Sequence, residues 1–291
     1  MRFRRWIALA LSLGLAALAG AAAAAPPLWT VRGPHGVVVL FGSVHALPPG
    51  LDWRSPDLEA ALARADELWF ETPIDPGSLQ AAAASLKARA VLPKGDSLFN
   101  HLSADEAARL RRVCEQLGAP ADAFAPLQPW FVDMTLSLLQ AQRAGAAADE
   151  GVEIRINAEA APKAGRHAFE TDAEQVAMLS DRPLSDQTVA LNATVKELMD
   201  DPDAYQRVIG EWLAGDVARL ETDALGLIKQ ESPADFDRLI TERNRRWADV
   251  LERRLRRRGR VVVVVGVGHL VGPGGVPALL RARGFVVDGP R

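Results

Sequence analysis

The sequence predicts an α/β fold of the mixed α+β kind, in which a central mixed β-sheet is flanked by helices and carries a large helical insertion. Short, apolar, strand-like runs occur near both ends of the chain, and long helical periodicity lies between them. The chain has 291 residues, of which 48% are hydrophobic, so it can bury a full core without disulfides. We expect residues 26–291 to form a single domain.

Residues 1–25 have the pattern of a secretory signal peptide. Three arginines among the first five residues precede an apolar stretch from Trp6 to Leu18, and small residues continue through Ala25. An uncleaved membrane anchor is the alternative, because the whole stretch nearly spans a bilayer. The apolar core is short and ends in alanines, which favours cleavage. The sequence therefore predicts an exported protein, periplasmic or secreted, with no membrane contact after cleavage.

Charge and cysteine content exclude several classes of function. A formal net charge of -3 gives no support to a nucleic-acid partner. Cys114 is the only cysteine, so the chain has no internal disulfide and no thiolate metal cluster. Because Cys114 belongs to a helical pattern with apolar neighbours, we expect a buried, inert thiol rather than a nucleophile.

The first strands and the first helix follow from turn and capping signals. Residues Leu28 to Arg32 and Val37 to Phe41 flank a Gly-Pro-His-Gly turn, which predicts a β-hairpin. A helix begins at Ser55-Pro56, and a short strand follows from Glu67 to Glu71. This βαβ-like unit predicts that the strands 37–41 and 67–71 pair in parallel with a right-handed crossover.

Helical periodicity dominates two long stretches, residues 75–165 and 172–258. A third short strand, Arg166 to Glu170, lies between them. The clearest strand is Val261 to Val265, because a continuous β-branched run is typical of a strand that is covered on both faces. A last short strand is predicted at Phe285 to Val287.

Two short motifs each occur twice, directly after strand-like runs. Gly-x-x-His ends at His45 and again at His269, and Phe-Glu-Thr supplies Glu71 and Glu170. In an open α/β sheet, ligands collect outside the carboxyl ends of the strands. Two imidazoles and two carboxylates placed there form a site that is able to hold a metal or to move protons.

Each of these residues also has a structural interpretation. A lone histidine after a strand is usually structural, but the repeated motif favours function for both His45 and His269. A carboxylate at Glu71 is half inside the apolar layer, where its burial is costly without a partner. The alternative for Glu71 and Glu170 is a helix N-cap or a salt bridge at the rim of the sheet.

Arg243 and Asn244 lie on the apolar stripe of a helix that is predicted from Ala234 to Arg257. A guanidinium and an amide that point toward the core require a binding cleft or a carboxylate to satisfy them. A structural pair that bridges two helices is the alternative. Dinucleotide-binding, P-loop, His-Glu-x-x-His and Gly-x-Ser-x-Gly patterns do not occur, and for Ser43 hydrogen bonding is favoured over a nucleophilic role.

The order of the motifs resembles the TraB/GumN family, which includes the animal Tiki proteases, over nearly the whole mature chain. The matching segments are Leu40 to His45, Ala65 to Glu71, Phe169-Glu170-Thr171 with Gln175, Trp212 to Asp216, Glu242-Arg243-Asn244, and Gly266 to Gly272.

The resemblance implies a mixed α/β fold with a helical insertion and a pocket at the strand ends. It also implies a metal-dependent peptidase that prefers ions such as manganese or cobalt and requires both Gly-x-x-His motifs. More distant relatives include erythromycin-esterase-like hydrolases and a haem- or iron-binding lipoprotein group. Gly151-Val152-Glu153 stands where Gly-x-Asp is expected, so Glu153 is assigned no role.

The leading hypothesis is an exported metal-dependent hydrolase, most simply a peptidase, that acts on a peptide or small-molecule substrate. His45, His269 and Glu71 are the predicted ligands of a divalent metal, with Glu170 as a further candidate. Manganese, cobalt, iron and zinc all suit imidazole and carboxylate ligands.

The predicted catalytic residues are Glu71, Glu170, Arg243 and Asn244. The glutamate that does not bind metal serves as the general base, and Arg243 stabilises an oxyanion or holds a substrate carboxylate. Two alternatives remain open: a metal-free hydrolase with a histidine base oriented by a glutamate, and a non-enzymatic periplasmic protein that captures metal, haem or a peptide signal.

Overall fold

The computed structural model describes residues 25–290. The predicted signal peptide at residues 1–25 therefore lies almost wholly outside the described residues, and its cleavage and the export of the protein stay predictions. No helix among residues 25–290 is long and apolar enough to cross a membrane.

A six-stranded mixed sheet forms the centre of the fold, in the order β4-β3-β5-β2-β1-β6. Strands β4, β3, β5 and β2 are mutually parallel, whereas β1 runs antiparallel to both of its neighbours. The strands are β1 (Leu28–Arg32), β2 (Gly36–Ser43), β3 (Glu67–Phe70), β4 (Gly165–Ala168), β5 (Gly259–Gly266) and β6 (Val286–Asp288).

Helices cover the sheet and form a separate layer, so the predicted α/β class with a helical insertion is confirmed. The helices are α1 (Pro56–Ala63), α2 (Pro76–Arg89), α3 (Ala104–Leu117), α4 (Pro129–Arg143), α5 (Val152–Glu159), α6 (Asp172–Ser180), α7 (Leu184–Asp200), α8 (Ala204–Ala214), α9 (Val217–Glu231), α10 (Pro233–Phe236), α11 (Glu242–Leu255) and α12 (Val276–Ala282). Single 3-10 turns occupy Leu98–His101, Ala121–Phe124, Ala148–Glu150 and Val267–His269.

Strand β5 is the central element of the sheet. All five valines from Val261 to Val265 are buried, which confirms the prediction of a strand covered on both faces. β5 lies between β2 and β3 and pairs in parallel with each of them. The prediction that β2 and β3 pair directly is therefore wrong, although their parallel direction is correct. The reason is that a strand from far along the chain, apolar on both faces, takes the most buried position.

The other predicted strands form with small changes at their ends. β1 and β2 make the predicted antiparallel hairpin, and the Gly33 N–H donates to the Gly36 carbonyl across the turn at 2.9 Å. β3 and β4 end one and two residues earlier than predicted, at Phe70 and Ala168. Their glutamates consequently stand beyond the strands, where their side chains are free to turn toward neighbouring elements.

Two apolar clusters hold these layers. The larger one joins the sheet to α1, α5, α8, α9, α11 and α12, and includes the fully buried Trp29, Trp212 and Trp247. The second lies among α3, α4 and α7 and contains Cys114. Burial raises the pKa of the Cys114 thiol to about 11, which agrees with the predicted inert cysteine.

The predicted helix from Ala234 to Arg257 is interrupted near its start. α10 is followed by a π-helical turn at Asp237–Thr241 and then by α11. Such turns insert one extra residue and are frequent at functional sites. Arg243 and Asn244 lie in the first turn of α11, and both are buried, as the apolar stripe predicted.

Candidate functional site

Parallel pairing of β2 with β5 brings the two Gly-x-x-His motifs side by side. Ser43 of the first motif is in register with Gly266 of the second. A Cβ at Gly42 would lie 2.8 Å from a methyl group of Val267, which is too close for any side chain. Glycine is therefore required at position 42 for the two strand ends to approach each other.

The side chains of His45, His269 and Glu71 converge at Gly266. A Cβ placed on Gly266 would lie 3.2 Å from Glu71 Oε1. It would also lie 3.7 Å from His45 Nε2 and 3.8 Å from His269 Cδ2. Segments that are distant along the sequence thus meet at one point, and the missing side chain of Gly266 leaves room for them.

Glu71 and Glu170 are neighbours because the pairing of β3 with β4 continues past both strands. The Glu170 N–H donates to the Glu71 carbonyl at 2.9 Å. Thr171 caps α6 with its own side chain, and Asp75 caps α2. Neither glutamate serves as a helix cap, so the capping alternative is wrong and both carboxylates face the site.

Arg243 joins the two carboxylates. Its Nε lies 2.9 and 3.1 Å from the Glu170 oxygens, and its Nη2 donates to Glu71 Oε2 at 2.6 Å. Nη1 donates to the Leu239 carbonyl of the π-helical turn at 3.0 Å and lies 3.0 Å from His269 Nε2. Each of the three guanidinium nitrogens already has an acceptor. The observed arrangement therefore suits Arg243 to holding the two glutamates and His269 in place.

Trp247 packs over this charged group from one turn further along α11. Its ring lies 4.8 Å from the guanidinium carbon of Arg243 and 4.4 Å from the ring of His269. The indole Nε1 donates to Glu170 Oε1 at 3.1 Å. Trp247 thus excludes water from the Arg243 charge pairs while it satisfies a carboxylate oxygen.

His269 is held as a neutral imidazole. Its Nδ1 lies 2.7 Å from Asn244 Oδ1, and the Asn244 amide is oriented by its donation to the Gly274 carbonyl at 2.9 Å. This network places the proton on Nδ1 and leaves Nε2 to accept from Arg243. Burial lowers the pKa of His269 to about 3, and the positive charge of Arg243 contributes to this decrease.

His45 has the opposite environment. Its side chain is 71% exposed, and its Nδ1 lies 2.7 Å from Glu153 Oε1. The Ser43 hydroxyl donates to the same oxygen at 2.5 Å, in the hydrogen-bonding role predicted for Ser43. The Glu153 carboxylate raises the pKa of His45 above its ordinary value. The Nε2 atom of this ring is left facing the cleft.

Glu153 belongs to the candidate site by its contacts with His45 and Ser43, although the sequence analysis assigned it no role. A Cβ at Gly151 would lie 2.2 Å from the His45 carbonyl oxygen, so only glycine lets the start of α5 approach the histidine loop. The Val152 N–H then donates to the Val44 carbonyl at 3.1 Å and fixes α5 beside His45. The sequence signal was a glycine two residues before an acid at the start of a helix, Gly151-Val152-Glu153. Because Gly-x-Asp was expected there, the glutamate was assigned no role.

Glu71 is ionised at the centre of the site. Burial alone would raise its pKa, but His269 when protonated, Arg243 and His45 outweigh that cost. The Gly266 N–H also donates to Glu71 Oε1 at 2.8 Å. Together these contacts lower the pKa of Glu71 to about 2.

A cation at the predicted metal site would need free donor atoms on His45, His269 and Glu71. Both histidines have Nδ1 on an oxygen acceptor, as metal-ligating histidines do. His269 Nε2, however, lies against the Arg243 guanidinium, and Glu71 is paired with that cation too. Within residues 25–290, no three His, Cys, Asp or Glu side chains form a group that could hold a metal ion. This arrangement does not fit a cation shared by all three predicted ligands, and metal binding stays a prediction.

Comparison with known proteins covers the whole site. The model of the TraB/PrgY/gumN family matches residues 27–288. The uncharacterized protein YbaP of Escherichia coli (strain K12) is 27% identical over 252 residues, which cover 83% of this chain and 87% of YbaP. The uncharacterized YbaP of Shigella flexneri gives the same figures. No solved structure matches the chain significantly. The family match contains all six strands and every site residue described above.

Proposed function

Because the chain belongs to the TraB/PrgY/gumN family and carries a solvent-accessible His45 held by Glu153, we propose that it is a hydrolase that cleaves peptide bonds in the cleft between His45 and Glu71. The observation that carries the proposal is the pairing of His45 Nδ1 with Glu153 at 2.7 Å. A carboxylate on one ring nitrogen orients the imidazole and stabilises its protonated form, which is what a proton-transfer group needs.

Because Glu153 raises the pKa of His45, the neutral ring is a minor form near neutral pH and its share grows as the pH rises. In the proposed reaction, this neutral form of His45 takes a proton at Nε2 from a water molecule while the water oxygen attacks the carbonyl carbon. The imidazolium that forms is stabilised by Glu153. It then gives the proton to the leaving nitrogen as the carbon–nitrogen bond breaks, which releases an acid and an amine. Ionised Glu71 accepts the second hydrogen of the attacking water and keeps its oxygen directed at the carbonyl.

Arg243, Glu170 and Asn244 support this reaction by positioning. Arg243 fixes Glu71 through the 2.6 Å contact, and Glu170 holds Arg243 from the other side. Asn244 holds the ring of His269, whose neutral state keeps a second positive charge away from His45. These residues accelerate the reaction by holding a preorganised charge arrangement, without contact with the reacting atoms.

The test combines peptide hydrolysis with elemental analysis. Purified protein is depleted with chelator, its metal content is measured, and cleavage of a broad set of peptides is followed before and after depletion. The proposal expects hydrolysis that survives when the metal content is negligible. Activity that is lost and is restored by manganese, cobalt, iron or zinc supports the predicted metal enzyme instead. Tight binding of peptide or haem with no cleavage supports a capture protein.

We also propose that the protein is exported to the periplasm or secreted. The support is the sequence pattern of residues 1–25 alone. N-terminal sequencing of the protein recovered from cell fractions tests it. A mature terminus near Ala25 in the exported fraction is expected, whereas a chain that retains Met1 in the cytoplasm contradicts export.

A further inference from the structure

We propose that the substrate is an extended peptide that continues on both sides of the scissile bond and places an apolar side chain between α6 and α9. This inference rests on the proposed function and names the substrate class of the same cleft. It is carried by two cavities that meet at His45, Glu71 and Gln175, because these three residues line both.

The first cavity lies beside α5 and is called the α5 cavity. It has a volume of about 310 Å³, and its apolar walls are Phe70, Ile74 and Ile154. The second lies between α6 and α9 and is called the α9 cavity, with a volume of about 420 Å³. Ligand pockets span about 300–1,000 Å³, so each cavity is large enough for a short length of chain and too small for a folded partner.

The α9 cavity is apolar except where it meets the site. Its walls come from α6, α9 and the π-helical turn, and most of these side chains are half-buried, so a ligand can contact them. The wall residues are Met178, Leu179, Leu225, Ile228, Leu239 and Ile240. Its charged lining residues are Glu71 and Arg243, which bind each other, and His45, which binds Glu153. A charged substrate group here would lose its hydration without a partner, so the cavity selects an apolar side chain.

The charges of the α5 cavity also have partners within the protein. Glu153 binds His45 and Ser43, and Glu71 binds Arg243. An enzyme that removes terminal residues needs a charged group free to bind the substrate's terminal ammonium or carboxylate. Apart from His45, whose free Nε2 takes part in the proposed reaction, the lining residues of the two cavities offer no such group. The cleft therefore fits an internal bond, with uncharged chain on either side of His45 and Glu71.

The experiment uses peptides with an acetylated N-terminus and an amidated C-terminus, which vary one position at a time. Wild-type protein is expected to cleave these capped peptides internally, with Leu, Ile, Met or Phe preferred at one fixed position next to the cleaved bond. The variant Ile228→Glu places an acid in the α9 cavity and should lower cleavage of the leucine peptide about tenfold or more. It should raise cleavage of the peptide with lysine at that position.

Leu138→Lys is the matched control, because Leu138 is an exposed apolar residue of α4 and does not line either cavity. It should leave the peptide preference unchanged. If Ile228→Glu does not fold, Met178→Glu replaces it, because Met178 lines the same cavity from α6. The inference is overturned if cleavage requires a free peptide terminus. It is also overturned if neither Ile228→Glu nor Met178→Glu changes the peptide preference. In both cases the hydrolase proposal stands.

Peptide binding tests the inference in the case that no peptide is cleaved. The affinity of the capped leucine peptide is measured with wild type, Ile228→Glu and Leu138→Lys. If no peptide is cleaved but the leucine peptide binds, and Ile228→Glu alone weakens binding about tenfold, the hydrolase proposal fails and the apolar α9 cavity stands as a recognition site. If the leucine peptide neither binds nor is cleaved, the inference is overturned as well.

Discussion

His45 and His269 end the same tetrapeptide at the ends of adjacent parallel strands, yet their environments are opposite. The side chain of His45 is 71% exposed, whereas that of His269 is 6% exposed. Glu153 raises the pKa of His45, while burial and Arg243 lower the pKa of His269 to about 3. One ring is thus suited to exchange protons with solvent, and the other is a fixed hydrogen-bonding element.

The difference shows how a repeated motif acquires two roles. The glycine and the strand end determine where each ring lies, and the partner on a distant helix determines its charge. His45 meets a carboxylate from α5, and His269 meets an amide and a guanidinium from α11. Four changes test this comparison.

His45→Gln should have the largest effect, and on activity only. Loss of a general acid–base group costs about 10²- to 10⁴-fold in turnover. Because the ring is exposed, and because Ser43 still donates to the buried Glu153 carboxylate in the variant, the free energy of unfolding should change by no more than about 1 kcal/mol. Peptide hydrolysis measures the loss of turnover, and chemical denaturation measures the change in the free energy of unfolding. His35→Gln, in the exposed hairpin turn, is the control and should retain full activity, and comparable loss in both variants contradicts the assignment of His45.

Arg243→Met should destabilise the protein most strongly. It leaves the buried carboxylates of Glu71 and Glu170 without their main partner, which costs about 3–5 kcal/mol in the free energy of unfolding. Denaturant melts measure this loss. Arg246→Met removes an exposed contact to Glu170 and should cost no more than about 1 kcal/mol. Equal losses in the two variants show that Arg243 is not the central counter-ion.

The acid sensitivity of the fold should depend on His269. Its folded pKa of about 3 lies below its ordinary value of 6.5, so the unfolded chain takes up a proton first as the pH falls. Stability that is present above pH 6.5 is therefore lost between pH 6.5 and 3. Between pH 7.5 and 5 the loss should be about 2 kcal/mol. It should be absent in His269→Gln, and a parallel decline in both proteins refutes the buried neutral ring.

Glu153→Gln should give the smallest effect, a shift on the pH axis. The Glu153 carboxylate raises the pKa of His45, so its removal lowers that pKa toward 6.5. If neutral His45 is the base, the rise of kcat/KM with pH moves to lower pH in the variant. Ring titration by NMR follows the same change directly, while His269 should not titrate between pH 5 and 9 in either protein. An unmoved profile rejects His45 as the base.

Much of the fold could be predicted because its signals are local. Two strands around a Gly-Pro-His-Gly turn predicted the hairpin, and the valine run predicted a strand buried on both faces. The apolar stripe of α11 predicted that Arg243 and Asn244 point inward. Strand adjacency could not be predicted, because β5 comes from the end of the chain and separates β2 from β3.

The sequence predicted most residues of the candidate site, but it predicted their roles only in part. His45, His269, Glu71, Glu170, Arg243 and Asn244 meet as expected, because strand ends and one helix face determine their positions. Glu153 was not assigned, since its contact with His45 depends on how closely α5 approaches the histidine loop. The predicted use of Arg243 for an oxyanion overlooked that the carboxylates and His269 already occupy its nitrogens.

The sequence by itself determined the α/β class, the strand ends and the residues that gather at them, because periodicity, turns and glycines act over a few positions. Tertiary structure alone decided which histidine is charged and what Arg243 holds. The physical reason is that charge state depends on burial and on partners within about 3–4 Å, and those distances exist only once the layers have packed.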